Sequence, residues 1–265
     1  MNTGVEQLAA DLVAEQDELD DALSKVEDGI WSRPTASPGW TIADQIGHLA
    51  FFDDTAALAI TDPDGFQAHV GELLSKLGDA EAIDAATLGR FRQMELAELV
   101  EAWRSNRSKL AEAATTLCED TRVVWYGPSM GAKSFLTARL MECWAHGQDI
   151  YDAAEITRTP TDRLQHIARL GFITRAWSYV NRGLEVPGTA VCVRLRAPSG
   201  AGWVYGDEAA PESISGAAED FCLVVTQRRH VDETELIVTG AAALDWMHKA
   251  QVFAGPATDG PVPAR

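Results

Sequence analysis

Three side chains in this sequence have the types and the spacing to hold a cation. Glu142 and His146 stand four residues apart in R-L-M-E-C-W-A-H-G-Q-D-I-Y, residues 139–151. On an α-helix that spacing stacks a carboxylate and an imidazole on one face. His48, in T-I-A-D-Q-I-G-H-L-A-F-F, is the other histidine within a strongly apolar helical segment of the first half. Two imidazole nitrogens, one carboxylate oxygen and an open position for water or substrate make a catalytic zinc pattern. Nitrogen donors with a single carboxylate favour zinc over calcium or magnesium, and iron, nickel or another late divalent ion suits the same set. Against this, i,i+4 polar pairs are common on exposed helix faces. Glu142 can pair with Arg139 instead, and only helix packing can bring His48 close.

Around these three, further residues have candidate roles. Arg139 can hold the carboxylate of an acidic substrate bidentately, or simply neutralise Glu142. Asp149 follows His146 by three residues and can orient an imidazole, or be solvated surface. Asp44, Gln45 and Phe52 lie within about one turn of His48 on broadly its face, while Asp53 points about 140° away. In W-Y-G-P-S-M-G, Trp125, Tyr126 and Met130 either cover a pocket mouth and touch a cosubstrate or cap the end of a core. Arg228 and Arg229 sit near the end of an apolar run, where domain interfaces often complete a pocket. Cys143 points about 100° from Glu142 and is a poor ligand. His69, His166, His230 and His248 read as structural or exposed, and Trp103, Trp144 and Trp177 as core side chains.

The elements that must position these groups follow from periodicity. Thr3 and Glu6 form a capping-box pattern ahead of a helix with apolar residues Val5, Leu8, Leu12, Leu19, Leu23 and Val26, ending around residues 29–34. Thr41 caps a second helix, with Asp44 three residues on, running from Ile42 to about Leu58. A short helix over about 66–77 is expected, then a third long helix over 95–118 and a loop over 119–133. A fourth helix covers about 134–152 and carries Arg139, Glu142 and His146; a fifth covers about 163–181 and closes near Gly183. Composition then changes. Strands are expected at 191–196, around Trp203 and at 235–239, with a helix capped by Ser215 and a last helix over 241–253. The fold class is α+β: a metal-binding helical bundle over 1–160, a connecting helix over 161–185, a small α/β domain over 186–255 and a flexible tail over 256–265.

Composition bounds the function. The chain of 265 residues is 46% hydrophobic, enough for real cores without covalent staples. Forty acids oppose 22 bases, for a formal net charge of -18. That balance, without a Lys/Arg run, disfavours nucleic acid and an anionic membrane surface. Residues 1–30 have no basic leader with an apolar core, and no run reaches transmembrane length. Cys118, Cys143, Cys192 and Cys222 lack C-x-x-C spacing, so buried reduced thiols are expected. The expectation is a cytoplasmic monomer or small homo-oligomer. No Walker loop, G-x-G-x-x-G, G-x-S-x-G or H-E-x-x-H pattern is convincing.

Taken together, T-A-S-P-G-W-T-I-A-D-Q-I-G-H-L at 35–49 and A-R-L-M-E-C-W-A-H-G-Q-D-I at 138–150 resemble the mycothiol-dependent maleylpyruvate isomerase family, within the DinB-like metal-binding bundle superfamily. The resemblance implies a DinB-like four-helix bundle followed by a sterol-carrier-like α/β domain. It implies a divalent metal, usually Zn2+, on His48, Glu142 and His146, and mycothiol as cosubstrate. The implied chemistry is addition of a thiolate to a small electrophilic or acidic substrate, as S-transfer or as cis–trans isomerisation, with an arginine of the C-terminal domain contributing. Arg228 or Arg229 matches that arginine loosely. A metal-dependent hydrolase or a non-catalytic metal-binding module are the competing readings.

Overall fold

The computed structural model describes residues 4–263, and the chain divides into two compact units, Met1–Thr157 and Arg158–Arg265. The first unit begins with α1 (Val5–Leu23), whose N-cap is Gly4; the expected cap Thr3 lies outside the described residues. Val5, Leu8, Leu12, Leu19 and Leu23 form its buried stripe. It stops at Leu23, earlier than periodicity suggested, because residues 24, 25, 27 and 28 are exposed and leave no apolar face to continue.

Helix α2 (Ile42–Thr61) starts as expected. Thr41 Oγ1 accepts from the Asp44 N–H at 3.2 Å, and Asp44 Oδ2 accepts from the Thr41 N–H at 2.9 Å. Asp44 is therefore a capping residue rather than pocket lining. Its other oxygen takes Arg92 Nε at 2.6 Å, tying a 3-10 turn, Phe91–Gln93, to the start of α2. Gly47 lets that turn close in: a Cβ there would lie 3.1 Å from Phe91 Cβ and 3.3 Å from a Leu88 methyl. Between α2 and the turn lie α3 (Pro63–Leu74), opened by Asp62 with Pro63 at its first position, and α4 (Ala80–Thr87).

Helix α5 (Leu96–Ala114) is followed by two short antiparallel strands, β1 (Arg122–Val123) and β2 (Met130–Gly131), where only a loop was expected. Helix α6 (Ala132–Ala154) then runs 23 residues and ends at Glu155 in a left-handed conformation, φ 59°. Helices α1 and α2 each pack against both α5 and α6, closing a four-helix ring. Most of α6 is buried, polar positions included. Side chains such as Arg139, His146, Gln148 and Asp149 must then find partners inside the protein.

In the second unit the single helix expected over 163–181 is two, α7 (Leu164–Ile173) and α8 (Arg175–Val180). The break is at Thr174, whose hydroxyl bonds back to the Leu170 carbonyl at 2.8 Å and competes with the helical ladder. Strands β3 (Val191–Arg196), β4 (Gly202–Tyr205), β5 (Glu212–Ala217) and β6 (Ile237–Thr239) form one sheet in the order β4-β3-β5-β6. Only β3 and β5 pair in parallel. Ser215 is a residue of β5, paired with Arg194 and Ile237, and not a helix cap. Helix α9 (Ala218–Val225) begins three residues later and packs against α7 and the sheet. Helix α10 (Ala241–Lys249) stops short of Phe253. Cys143, Cys192 and Cys222 are buried, but Cys118 is exposed, and so is Trp177. No helix among the described residues is long and apolar enough to cross a membrane.

Candidate metal centre

Helices α2 and α6 bring His48, Glu142 and His146 together. One donor atom from each lies within 4.8 Å of the others. Glu142 Oε2 stands 3.1 Å from His146 Nε2 and 3.8 Å from His48 Nε2. In a tetrahedral site with bonds of about 2.0–2.1 Å, neighbouring donors lie about 3.3 Å apart, so these separations bracket what a cation requires. The two imidazole centroids are 4.2 Å apart.

The protonation states suit the same purpose. Burial lowers the His48 pKa to about 4, and the neighbouring His146 pushes it the same way. His48 is thus a neutral donor near neutral pH. Burial alone would raise the pKa of Glu142, but the hydrogen bonds of His146 and His48 and the charge of Arg139 hold it well below the usual carboxylate range. An anionic oxygen therefore faces two imidazole nitrogens.

His146 is held by a residue that matters more than pocket lining. Its Nδ1 lies 2.6 Å from Gln45 Oε1. Gln45 is fully buried, and its Nε2 donates to Thr35 Oγ1 at 2.9 Å, Ser37 Oγ at 3.0 Å and Asp149 Oδ2 at 3.4 Å. An ionised carboxylate only accepts, so Asp149 fixes which end of the Gln45 amide faces it. The Gln45 oxygen is then turned to His146 and accepts from Nδ1, and Nε2 is the nitrogen that faces Glu142. Asp149 thus orients the imidazole through Gln45. The i−3 spacing of Gln45 from His48 was visible in the sequence; its partner on another helix was not.

Arg139 is 4% exposed and turns toward Asp53, with Nη2 3.6 Å from Asp53 Oδ1. Its guanidinium carbon lies 5.7 Å from the Phe52 ring centre and 5.9 Å from that of Trp125. Nε and Nη2 have no hydrogen-bond partner among the described residues. Asp53, whose helical angle alone hid its role, is buried and also takes Gln16 Nε2 at 3.0 Å. Burial raises its pKa to about 6, against the lowering influence of Arg139.

Aromatic rings line this region. Trp40 lies 5.0 Å from His48 and 6.0 Å from His146, and Phe52 lies 4.6 Å from His48. Trp125 stacks flat on Phe66 at 5.4 Å and edges Phe135. Tyr126 sets its ring against Phe52 at 5.6 Å and its hydroxyl 3.0 Å from His69 Nε2. Burial raises the phenol pKa to about 12. Beyond His69 a cavity of about 480 Å³ opens, lined by Phe51, Thr55, Lys76 and Arg90 among others. Met130 stays in β2 opposite Val123, two residues before α6 begins. Arg228 and Arg229 follow α9 in the second unit, with Nη1 of Arg228 on the Thr226 carbonyl and Nη1 of Arg229 on the Arg228 carbonyl.

Residues 12–151 match the family model of the mycothiol maleylpyruvate isomerase N-terminal domain. The chain belongs to that family. This member is 42% identical, over 93% of its length and 95% of theirs, to uncharacterized proteins of Mycobacterium tuberculosis strains CDC 1551 / Oshkosh and ATCC 25618 / H37Rv. Crystal structures of the mycothiol-dependent maleylpyruvate isomerase share its fold at a TM-score of 0.59. They cover 98% of this chain and 97% of theirs, at 15% identity for one and 17% for a histidine-to-alanine mutant. The α+β architecture, bundle first and sheet second, is therefore that of the family.

Proposed function

We propose that this family member is a divalent-metal-dependent enzyme that activates a low-molecular-weight thiol, mycothiol by the family's chemistry, for S-transfer or addition to a small electrophilic acid. The observation that carries the reading is the convergence of His48 Nε2, Glu142 Oε2 and His146 Nε2, with the last aimed by Gln45. Zn2+ is the ion these donors suit best, since both nitrogens are imidazole and only one donor is a carboxylate. Bound there, it supplies Lewis acidity that brings the pKa of a thiol sharing the site toward neutrality.

The chain's own groups do the rest. Gln45 holds the proton on His146 Nδ1. His48, neutral at working pH, and anionic Glu142 complete the donor set. Trp40 and Phe52 keep water from the rings and offer apolar walls to an unsaturated substrate. Arg139, with two buried donors not engaged in hydrogen bonds, is the group to take a substrate carboxylate and to steady negative charge that develops on addition. Trp125 and Tyr126 form the wall beside it, and Met130 lies at the hairpin leading to α6. Arg228 and Arg229, the further candidates for binding an acidic group, are carried by the C-terminal unit.

Isomerisation of a cis double bond by addition, rotation and expulsion of the thiol is the second reading, favoured by the mycothiol-dependent maleylpyruvate isomerase structures that share the fold. A cytoplasmic location accompanies both, because a reduced thiol cosubstrate is maintained there. The test is turnover of mycothiol with maleylpyruvate and other electrophilic acids by Zn2+-loaded protein. The expected result is thiol-dependent product formation, abolished by a chelator and by His146→Ala. Loss of free thiol with a new thioether product marks transfer; trans product with thiol conserved marks isomerisation. Metal-loaded protein that turns over no acid in the presence of mycothiol would overturn the proposal.

A further inference from the structure

The second unit carries another convergence of metal-binding types. His230 follows Arg228 and Arg229 and opens a 3-10 turn, Val231–Glu233; His248 lies in the last turn of α10. Their rings stack at 5.3 Å with an interplanar angle of 24°. Donor atoms of His230, Asp232 and His248 all lie within 4.8 Å of one another.

His230 Nδ1 accepts the Asp232 backbone N–H at 3.2 Å, so that nitrogen carries a lone pair. It therefore has no proton to give to Asp232 Oδ2, which stands 3.5 Å away. The His248 imidazole stacks against that of His230. Two imidazoles and a carboxylate thus converge. The 3.5 Å separation is close to the roughly 3.3 Å between donors of a tetrahedral ion; closure needs rotation of the side chains and release of the Asp232 N–H from Nδ1.

The geometry points to a second metal site, at His230, Asp232 and His248, that takes a late divalent transition ion such as Zn2+, Co2+ or Ni2+. Two imidazoles and one carboxylate disfavour Mg2+ and Ca2+, which require oxygen donors in greater number. The site is exposed, so water completes the coordination and the ion exchanges readily. Its effect is structural: it pins the last turn of α10 to the segment that begins at Arg228. This holds whether or not the bundle cluster is catalytic.

Metal titration of the full chain, stripped with chelator and followed by calorimetry with Zn2+ and by Co2+ absorption at neutral pH, tests it. Wild type is expected to bind two equivalents. His146→Ala, which cripples the bundle cluster, should retain one equivalent, and that one should disappear when His248→Ala is added. Zn2+ should raise the melting temperature of His146→Ala by a few degrees and leave that of His146→Ala/His248→Ala unmoved. Because His248 is exposed, circular dichroism of the second variant is expected to match the first. Either of two results overturns the inference: His146→Ala binding no metal while His230 and His248 are intact, or an equivalent that persists when both His230→Ala and His248→Ala are added to His146→Ala.

Discussion

Two sets of the same ligand types, two histidines and one carboxylate, occupy this chain in different settings. In the bundle, His48, Glu142 and His146 project from long helices whose ends are capped and whose faces are buried. Behind His146 stand Gln45, Thr35, Ser37 and Asp149, so the orientation of one imidazole is set before any ion arrives. In the second unit, His230, Asp232 and His248 stand on a 3-10 turn and the end of a helix, and Asp232 and His248 are exposed. What separates the two is the supporting layer, not the donors. A ligand held in advance loses little entropy on binding, whereas an exposed one must be ordered by the ion itself. The half-buried cluster is expected to bind tightly and selectively, and the surface cluster weakly and with fast exchange.

The contrast breaks most decisively at the donors. Glu142→Ala or His146→Ala should lower metal affinity at the bundle site by about a hundredfold or more and eliminate thiol-dependent turnover, read by metal analysis of dialysed protein and by initial rates. Because His48 has its pKa lowered from 6.5 to about 4, wild type should hold this metal as pH falls through 6 and release it as pH approaches 4.

Next in size is Asp53, which ties Arg139 to the core. Its folded pKa is raised from 3.8 to about 6, so the stability it contributes is present below pH 3.8 and is lost as pH rises through 6. Urea unfolding across that window should show wild type losing on the order of 3 kcal/mol relative to Asp53→Asn. Equal slopes for the two proteins would mean that Asp53 is not a buried, titrating carboxyl. Gln45→Leu sharpens the contrast by removing support while leaving every donor in place. Metal affinity should drop about 10- to 100-fold. An unchanged affinity would show that the supporting layer is dispensable. The smallest catalytic effect is assigned to Arg139→Lys, which keeps the charge beside Asp53 but loses the guanidinium fork. The KM for an acidic substrate should rise about tenfold with kcat little changed.

Much of this was legible in the residues themselves. The Thr41–Asp44 box, the Glu142–His146 spacing and the apolar periods of α1, α2, α5 and α6 are local signals, and each marks an observed element, although α1 and α5 end earlier than their periods predicted. What depended on partners far along the chain was not legible. Ser215, followed by G-A-A-E-D, has the chemistry of a helix cap, yet parallel pairing with β3 draws it into a strand. Thr174 interrupts a helix through a back-bond that its type permits but does not dictate. Gln45 and Asp53 are ordinary polar residues on α2 until burial obliges each to find a partner, Asp149 and His146 for one, Arg139 and Gln16 for the other. The paired loop over β1 and β2 is too short for a period to reveal.

Gly47 sits one residue before His48, and the space where its side chain would be is filled by Phe91 and Leu88. A glycine within a helix sacrifices about 1 kcal/mol relative to alanine, so its presence here reflects that intimate fit. Displacement of the turn at Phe91 is thereby transmitted to the backbone that carries the first imidazole, with no flexible side chain between to absorb it. The end of α4 and the turn after it, though they supply no donor, pack directly against the backbone beside the candidate metal cluster.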